Sequence, residues 1–213
     1  MAAEILKINS DKPEPALIHY AAERIKAGQV VGMPTDTFYG LAVDPLNLRA
    51  VDRIYEIKSR SRHKALSLII EDIDQALDLA LALNTDFYDL ARKFWPGPLT
   101  IIVKASSTLP LRVTANTGNV ALRVPSAAIP VALCKAMGHP ITATSANLSG
   151  ASECTTADSV RQQLGDRIPL IVDGGQTPRI VASTIVDLTD ETNGWRIIRE
   201  GAISSDEIKA VLG

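Results

Sequence analysis

Residues 15–35 read PALIHYAAERIKAGQVVGMPT, and this stretch holds both kinds of secondary structure that the rest of the chain repeats. Its apolar residues at 18, 21, 22 and 25 recur with the helical period, and Gly28 is a typical helix end. The apolar residues of 29–33 are typical of a buried strand, which Pro34 ends. A helix followed at once by a buried strand is the repeating unit of α/β proteins.

The same alternation extends in both directions from this stretch. Strands are predicted at 4–8, 65–71, 99–105, 119–125 and 141–146, and helices at 46–58, 72–83, 84–94, 126–138 and 156–166. Three strands follow at LIVDGG (170–175), STIVDLTD (183–190) and GWRIIREG (194–201), before a final helix that begins at a capping box of Ser204 and Glu207. Because these three strands leave no room for crossover helices, part of the sheet is expected to be antiparallel.

Composition limits the function classes. The 213 residues carry a formal net charge of −2, which excludes a globally basic nucleic-acid coat, and 4 % aromatic residues are few for single-strand stacking platforms. No apolar run approaches the roughly 20 residues of a membrane span, and the N-terminus lacks a signal-peptide pattern. The two cysteines form no CxxC motif. We therefore expect one cytoplasmic domain with no membrane segment and no metal ligands.

The most unusual segment is RIYEIKSRSRHK (53–64), whose five basic side chains outnumber its single glutamate. In extended backbone Arg60, Arg62 and Lys64 would share one face, where arginine forks and a mobile lysine suit phosphate oxygens. Lys58 continues the apolar stripe of the preceding helix and is expected to point into a cleft. A solvated basic loop is the alternative interpretation.

Two polar segments follow predicted strands. PTDTFYG (34–40) places hydroxyls and a carboxylate where open α/β sheets hold ligands, and these groups could bind the ammonium and hydroxyl of an amino acid. TATSANLSG (142–150) could offer hydroxyl and N–H groups to a phosphate or carboxylate. Ordinary turn chemistry is the alternative for the first segment, and the second is a kind of loop that is common in proteins. Arg123, inside the apolar strand 119–125, must meet an acid or an anionic ligand, because charge is almost never buried unpaired.

Taken in order, eight segments resemble the YrdC-like family. They are PTDTFYGLAVD (34–44), the K-x-R-x-x-x-K spacing of Lys58, Arg60 and Lys64, WPGPLT (95–100), ALRVP (121–125), TSANLSG (144–150), DGG (173–175), STIVD (183–187) and REG (199–201). The resemblance implies an open, twisted α/β sheet of mixed parallel and antiparallel strands, with flanking helices around a concave basic cleft. Longer members append a second domain, so it predicts a single YrdC-like domain over 1–213 and no second C-terminal domain.

The resemblance also implies an activity. Members of the family are threonylcarbamoyl-AMP synthases, ATP-dependent nucleotidyltransferases that join L-threonine, bicarbonate or CO2, and ATP, releasing pyrophosphate. Partner proteins of the tRNA threonylcarbamoyl transferase machinery then pass the group to the tRNA adenosine next to the anticodon. Two alternatives remain open at this point. One is a module that binds double-stranded RNA or tRNA, and the other is a paralogue that forms a different carbamoyl-adenylate.

Site residues follow from the same motifs. The resemblance assigns catalysis to Lys58, Arg60 and Lys64, which would neutralise the triphosphate, and the rest of the nucleotide side to Asn119, Ser145, Asn147 and Arg199. It assigns threonine binding to Thr35, Thr37, Arg123 and Ser183. Mg²⁺ would arrive with ATP, since the sequence has no dedicated carboxylate cage. The chain departs from many relatives at Ser61 and Ala65, where they have proline, and in Leu68-Ile69-Ile70, where they have a histidine.

Replacing Arg60 with alanine tests the basic segment. The change is expected to reduce turnover with the fold intact, because it removes one positive charge from the predicted triphosphate site. Steady-state kinetics and circular dichroism of the purified variant provide the measurement. Unchanged kinetics together with a normal spectrum would refute the assigned role.

Overall fold

The structure is a computed structural model that describes residues 3–59, 61, 65–178, 181–190, 192 and 194–213. Its strands are β1 (Glu4–Lys7), β2 (Val31–Met33), β3 (Gly40–Ala42), β4 (Ser67–Ile69), β5 (Leu99–Lys104), β6 (Asn119–Arg123), β7 (Ile141–Ser145), β8 (Leu170–Asp173), β9 (Thr184–Asp187) and β10 (Arg196–Arg199). Its helices are α1 (Pro15–Lys26), α2 (Leu48–Lys58), α3 (Gln75–Leu79), α4 (Thr85–Phe94), α5 (Leu111–Thr114), α6 (Ala128–Met137), α7 (Ala157–Leu164) and α8 (Ser205–Leu212).

The strands form one open sheet in the order β1-β8-β2-β3-β7-β4-β6-β5-β9-β10. The pairs β1–β8, β2–β8, β4–β6 and β5–β9 are parallel, and the remaining neighbours are antiparallel. The predicted mixed α/β sheet is therefore confirmed. The three late strands were expected to contribute an antiparallel part. Of these, only β9 and β10 pair with each other in antiparallel fashion, because β8 inserts between β1 and β2. On its other side, β9 pairs with β5.

One predicted helix is shorter than expected, and two short elements were not predicted. The helix predicted at 72–83 is confined to Gln75–Leu79, because the chain then turns to form a bridge from Ala80 to Ala105 at the end of β5. β3 and α5 were not predicted, since three or four residues are too few to establish a period. The final helix does begin at the predicted capping box, where the Ser204 hydroxyl accepts from the N–H of Glu207.

The two faces of the sheet are covered differently. On one face the side chains of Leu68, Ile101, Leu122 and Val186 pack in a single core with apolar residues of α2, α4, α7 and α8. On the other face α1 and α6 cover a smaller core around β2 and the end of β4. Successive side chains along each strand point to opposite faces of the sheet, so apolar residues occur on both faces and helices pack against both.

No described helix covers the second face over β6, β5 and β9. On this part of the face and on the adjoining strands β4 and β7, four side chains are only half-buried, namely Ser67, Ala121, Ala143 and Ile185. Ser67 of β4 is the register partner of Ala121 in β6 and of Ala143 in β7. Small side chains on an uncovered sheet face leave a concave floor. The candidate site lies on this floor. Within the described ranges, no helix is long and apolar enough to cross a membrane.

Candidate active site

A cleft above the uncovered part of the sheet brings most of the predicted site residues together. Six of them line it, namely Thr35, Thr37, Arg123, Ser145, Ser183 and Arg199. Lys58 and Asn147 lie beside Ser145. Asn119 does not line this cleft. Arg60 and Lys64 fall outside the residues that the structure describes, and so does Arg62.

The loop between β2 and β3 forms one end of the cleft. The Thr35 hydroxyl donates to the carbonyl of Phe38 at 2.7 Å and accepts from the N–H of Thr37 at 3.1 Å. The hydroxyls of Thr35 and Thr37 are themselves 3.1 Å apart. These short-range bonds are the turn chemistry expected of the segment, and they hold two hydroxyls side by side at the end of β2.

Arg123 lies at the end of β6, with 9 % of its surface exposed. Its Nε donates to the carbonyl of Gly97 at 3.0 Å, and its Nη1 donates to the Thr37 hydroxyl at 3.3 Å. Its Nη2 donates to Oδ1 of Asp36 at 2.6 Å in a buried salt bridge. Of the two partners predicted for Arg123, an acid or an anionic ligand, the structure shows the acid. The guanidinium also faces the cleft, so the salt bridge does not remove it from the site.

Gly97 is required where it supplies that carbonyl. A Cβ at this position would lie 2.5 Å from the carbonyl oxygen of Phe94, which is closer than real Cβ atoms approach backbone. The Gly97 N–H also donates to the carbonyl of Val124 at 2.8 Å, beside Arg123 in the chain. The segment WPGPLT therefore holds the guanidinium through its Nε, whereas the β2–β3 loop holds the two Nη atoms.

Ser183 and Arg199 form the wall above β5 and β9. The Ser183 hydroxyl lies 3.1 Å from that of Thr100, and the Arg199 guanidinium donates to the carbonyl and hydroxyl oxygens of Ser183. Gly201 lets the two segments approach, because a Cβ there would lie 2.3 Å from the carbonyl oxygen of Ala182. Ser183, predicted for threonine, and Arg199, predicted for the nucleotide, are thus direct partners.

Lys58 ends α2 and is almost fully buried. Its Nζ donates to the carbonyl oxygens of Ser145 and Asn147 and to Oδ1 of Asn147, the last at 3.1 Å. The Ser145 hydroxyl donates to the same Oδ1 at 2.6 Å. Lys58 was predicted to point into a cleft. It points away from open water and does not itself line the cleft, and its ammonium holds the polar loop after β7 in place.

Asn119 lies at the opposite end of β6 from Arg123, about 13 Å away at about 3.3 Å per residue. Its Nδ2 donates to the Thr189 hydroxyl at 3.1 Å, and that hydroxyl donates to Asp187 at 2.6 Å. Because a carboxylate can only accept, the Thr189 oxygen must accept from Asn119, which fixes the orientation of the amide. Its Oδ1 is buried and has no hydrogen-bond partner within the described chain.

Three buried groups are poor nucleophiles and bases, namely the two cysteine thiols and the hydroxyl of Tyr39, of which only Tyr39 lines the cleft. Burial raises the pKa of the Cys134 thiol to about 12 and also raises the pKa of Cys154. Burial, together with the charge of Asp173, raises the pKa of Tyr39, whose hydroxyl donates to the carbonyl of Gly175. These three groups remain protonated near neutral pH. The arrangement is therefore suited to binding and charge neutralisation rather than to covalent catalysis by a thiol or phenol.

Sequence reasoning missed several residues that build the site. The motifs did not predict a role for Thr100, Gly97 or Ser126, although Gly97 and Thr100 lie in the segment WPGPLT (95–100). Ser126 donates to Asp36 at 3.1 Å across 90 positions of sequence. A one-dimensional pattern carries no signal for such a distant contact. In the part of the chain that the structure describes, no cluster of three or more His, Cys, Asp or Glu could hold a metal ion.

Comparison with known proteins gives one family. The profile of a family described as "Telomere recombination", Sua5/YciO/YrdC, matches residues 23–201. A Bacillus subtilis protein named threonylcarbamoyl-AMP synthase is 40 % identical over 197 residues, which cover 92 % of this chain and 56 % of that protein. A Vibrio vulnificus protein of the same name is 37 % identical over 186 residues, which cover 86 % of this chain and 98 % of that protein.

A solved structure supports the same grouping. A crystal structure of Pyrococcus abyssi Sua5 complexed with L-threonine superposes with a TM-score of 0.94 at 35 % identity, covering 99 % of this chain and 61 % of that one. The chain thus spans roughly three fifths of the length of the Bacillus and Pyrococcus proteins that it matches. This superposition confirms the predicted fold.

Asp187, at the Asn119 end of the sheet, predicts a pH dependence of stability. Burial raises its pKa, but hydrogen bonds from Thr189 and the Arg196 guanidinium outweigh burial and hold the pKa below its ordinary value. A lowered pKa stabilises the fold above the unfolded pKa of about 4, and this contribution is lost as the pH falls through the folded pKa. The stability advantage of wild type over Asp187→Asn should therefore shrink below about pH 4. Urea unfolding at pH 7, 5 and 3 measures it, and a difference that is constant with pH would contradict the assignment.

Proposed function

The chain belongs to the Sua5/YciO/YrdC family, and from this premise we propose that it forms L-threonylcarbamoyl-AMP and pyrophosphate from L-threonine, bicarbonate or CO2, and Mg-ATP. The observation that carries the proposal is that two chemically different groups of residues line the cleft. One group, called here the Arg123 end, is a buried guanidinium beside two threonine hydroxyls. The other, called here the Ser145 end, is a lysine-bound polar loop that faces the cleft through Ser145.

The Arg123 end suits an amino acid. A guanidinium with fixed orientation matches the planar geometry of a carboxylate, and the hydroxyls of Thr35 and Thr37 can exchange hydrogen bonds with a substrate hydroxyl. Ser183 approaches the same space from β9. L-Threonine, with which the Pyrococcus abyssi protein is complexed, has the carboxylate and the hydroxyl that this end can bind.

The Ser145 end suits a nucleotide. Lys58 fixes the carbonyls of Ser145 and Asn147 and brings its positive charge beneath the loop. Arg199 adds a second cation at the cleft wall. Arg60 and Lys64 are proposed to complete the triphosphate site, on the grounds of their spacing from Lys58 in the sequence. Asn119 was predicted for the nucleotide, but it does not line the cleft and its Oδ1 is buried, so the proposal gives it no contact with the ligand.

The chemistry needs positioning more than a reactive side chain. The neutral amine of threonine attacks CO2, forms a carbamate and loses a proton. A carbamate oxygen then attacks the α-phosphorus in line, and the bond from that phosphorus to the bridging oxygen breaks as pyrophosphate leaves. The protein's part is to hold the two reactants in contact and to neutralise the growing charge on the phosphates. Mg²⁺ enters with the nucleotide as part of the substrate.

The product's use is part of the proposal. A carbamoyl-adenylate is a mixed anhydride that reacts readily with nucleophiles, so it must pass to an acceptor before water consumes it. We propose that partner proteins of a tRNA threonylcarbamoyl transferase machinery take it to the adenosine next to the tRNA anticodon, in the cytoplasm.

Pyrophosphate release tests the proposal. Purified protein with Mg-ATP and bicarbonate should release pyrophosphate when L-threonine is added, and much less with serine or with no amino acid. The Vibrio vulnificus synthase serves as the positive control in the same assay. Release without preference for threonine would indicate a paralogue that forms another carbamoyl-adenylate. No release, while the control is active, would overturn the proposal.

Replacing Arg123 with alanine should weaken the binding of threonine more than the binding of ATP. Charge-assisted hydrogen bonds are worth about 1.5–3 kcal/mol, so the threonine KM should rise about 10- to 100-fold. Arg112→Ala is the matched control, since Arg112 is paired with Asp52 outside the cleft. Arg123→Lys keeps the charge and guards against a folding defect in the alanine variant. A larger rise in the ATP KM than in the threonine KM would mean that the two ends of the cleft are exchanged.

A further inference from the structure

Asp36 is the buried partner of Arg123, and it does not itself line the cleft. It is 3 % exposed and borders a neighbouring cavity, on the other side of the β2–β3 loop, together with Ser126 and Gly174. Its Oδ1 accepts from Arg123 at 2.6 Å and its Oδ2 accepts from the Ser126 hydroxyl at 3.1 Å. Asp36 is therefore placed to act on a ligand in the cleft by holding Arg123 and by offsetting its charge, rather than by direct contact.

The two arginines that line the cleft differ in the charge of their partners. Arg123 has a carboxylate at 2.6 Å, so the pair as a whole is close to neutral. The Arg199 guanidinium donates to the carbonyl and hydroxyl oxygens of Ser183, which are neutral. Of these two guanidiniums, only that of Arg123 has its charge offset by a bonded carboxylate, and the one other charged group that lines the cleft within the described residues is Glu153.

We propose that Asp36 is a positioning and specificity residue that reserves Arg123 for a single carboxylate and keeps polyphosphate away from it. The inference rests on the proposed function and deepens it. Asp36 holds the guanidinium in one orientation, with Ser126 fixing the carboxylate from behind. It also cancels most of the field that Arg123 would otherwise project into the cleft.

Charge explains why cancellation gives selectivity. Coulomb attraction scales with the product of the charges, so an uncompensated buried guanidinium would attract a triphosphate or pyrophosphate several times more strongly than a monocarboxylate. A near-neutral ion pair can still donate directional hydrogen bonds to a carboxylate. It does not have the long-range Coulomb attraction that would favour a polyphosphate. Excluding the wrong ligand by reducing attraction is an ordinary means of specificity. Without it, ATP or pyrophosphate would compete for the amino-acid end.

Calorimetry with Asp36→Asn tests the idea. Asparagine keeps the shape and one acceptor oxygen but removes the charge. L-Threonine is titrated into the protein with and without inorganic pyrophosphate. In wild type, pyrophosphate should change the threonine Kd by less than about twofold. In Asp36→Asn, pyrophosphate should raise it at least tenfold, because the uncompensated Arg123 now binds the polyanion. A merely structural role would lower affinity or stability without creating this competition.

Two further variants separate the parts of the proposal. Ser126→Ala leaves the Asp36 charge in place and removes the hydroxyl behind it, so threonine should bind several-fold more weakly with no new competition by pyrophosphate. Asp52→Asn is the matched control, since it makes the same change in the Asp52–Arg112 ion pair outside the cleft and should behave as wild type. If Asp36→Asn does not fold, Ser126→Ala tests positioning and the wild-type titration tests charge exclusion.

The outcomes discriminate clearly. Equal effects of pyrophosphate on threonine binding in wild type and Asp36→Asn would overturn the inference. Strong competition in wild type, or unchanged threonine affinity in Ser126→Ala, would also contradict it. If wild type neither binds threonine nor releases pyrophosphate, the proposed function itself fails and takes this inference with it. If wild type does both and the Asp36 variant matches it, only the inference fails.

Discussion

The guanidinium of Arg123 is the interaction on which the candidate site depends. A cation at the end of a buried strand is tolerated only when fixed acceptors surround it. Here the acceptors come from two separate segments, the β2–β3 loop and the WPGPLT turn, and the start of α6 supports one of them through Ser126. Folding that satisfies this one side chain therefore brings together segments that are far apart in the chain.

The cleft itself is a consequence of incomplete cover. Helices pack on the whole of one sheet face, but on the other face α1 and α6 cover only the half around β2. The strands β4, β6, β5 and β9 continue beyond them with small or half-buried side chains on that face. Polar side chains at the strand ends converge on this uncovered part of the sheet and line the cleft.

Sequence reasoning recovered what periodicity and local chemistry determine. The α/β class, most strands and helices and the capping box at Ser204 follow from spacing, and the burial of Lys58 follows from its place on the apolar stripe of α2. The need of Arg123 for an acid or an anionic ligand was predicted, but Asp36 was not identified as the acid, because it lies 87 positions away. The strand order was not predicted either, because β8 pairs with β1 and β2, which lie far from it in the sequence. Packing, and not pattern, decides such contacts.

We have proposed that one cleft binds an amino acid at the Arg123 end and a nucleotide at the Ser145 end. An experimental structure with L-threonine and a non-hydrolysable ATP analogue would locate both ligands. We expect the threonine carboxylate on the guanidinium of Arg123, with the phosphates near Ser145, Asn147 and Arg199. Phosphates bound to Arg123, or threonine bound beside the Lys58-held loop, would contradict it.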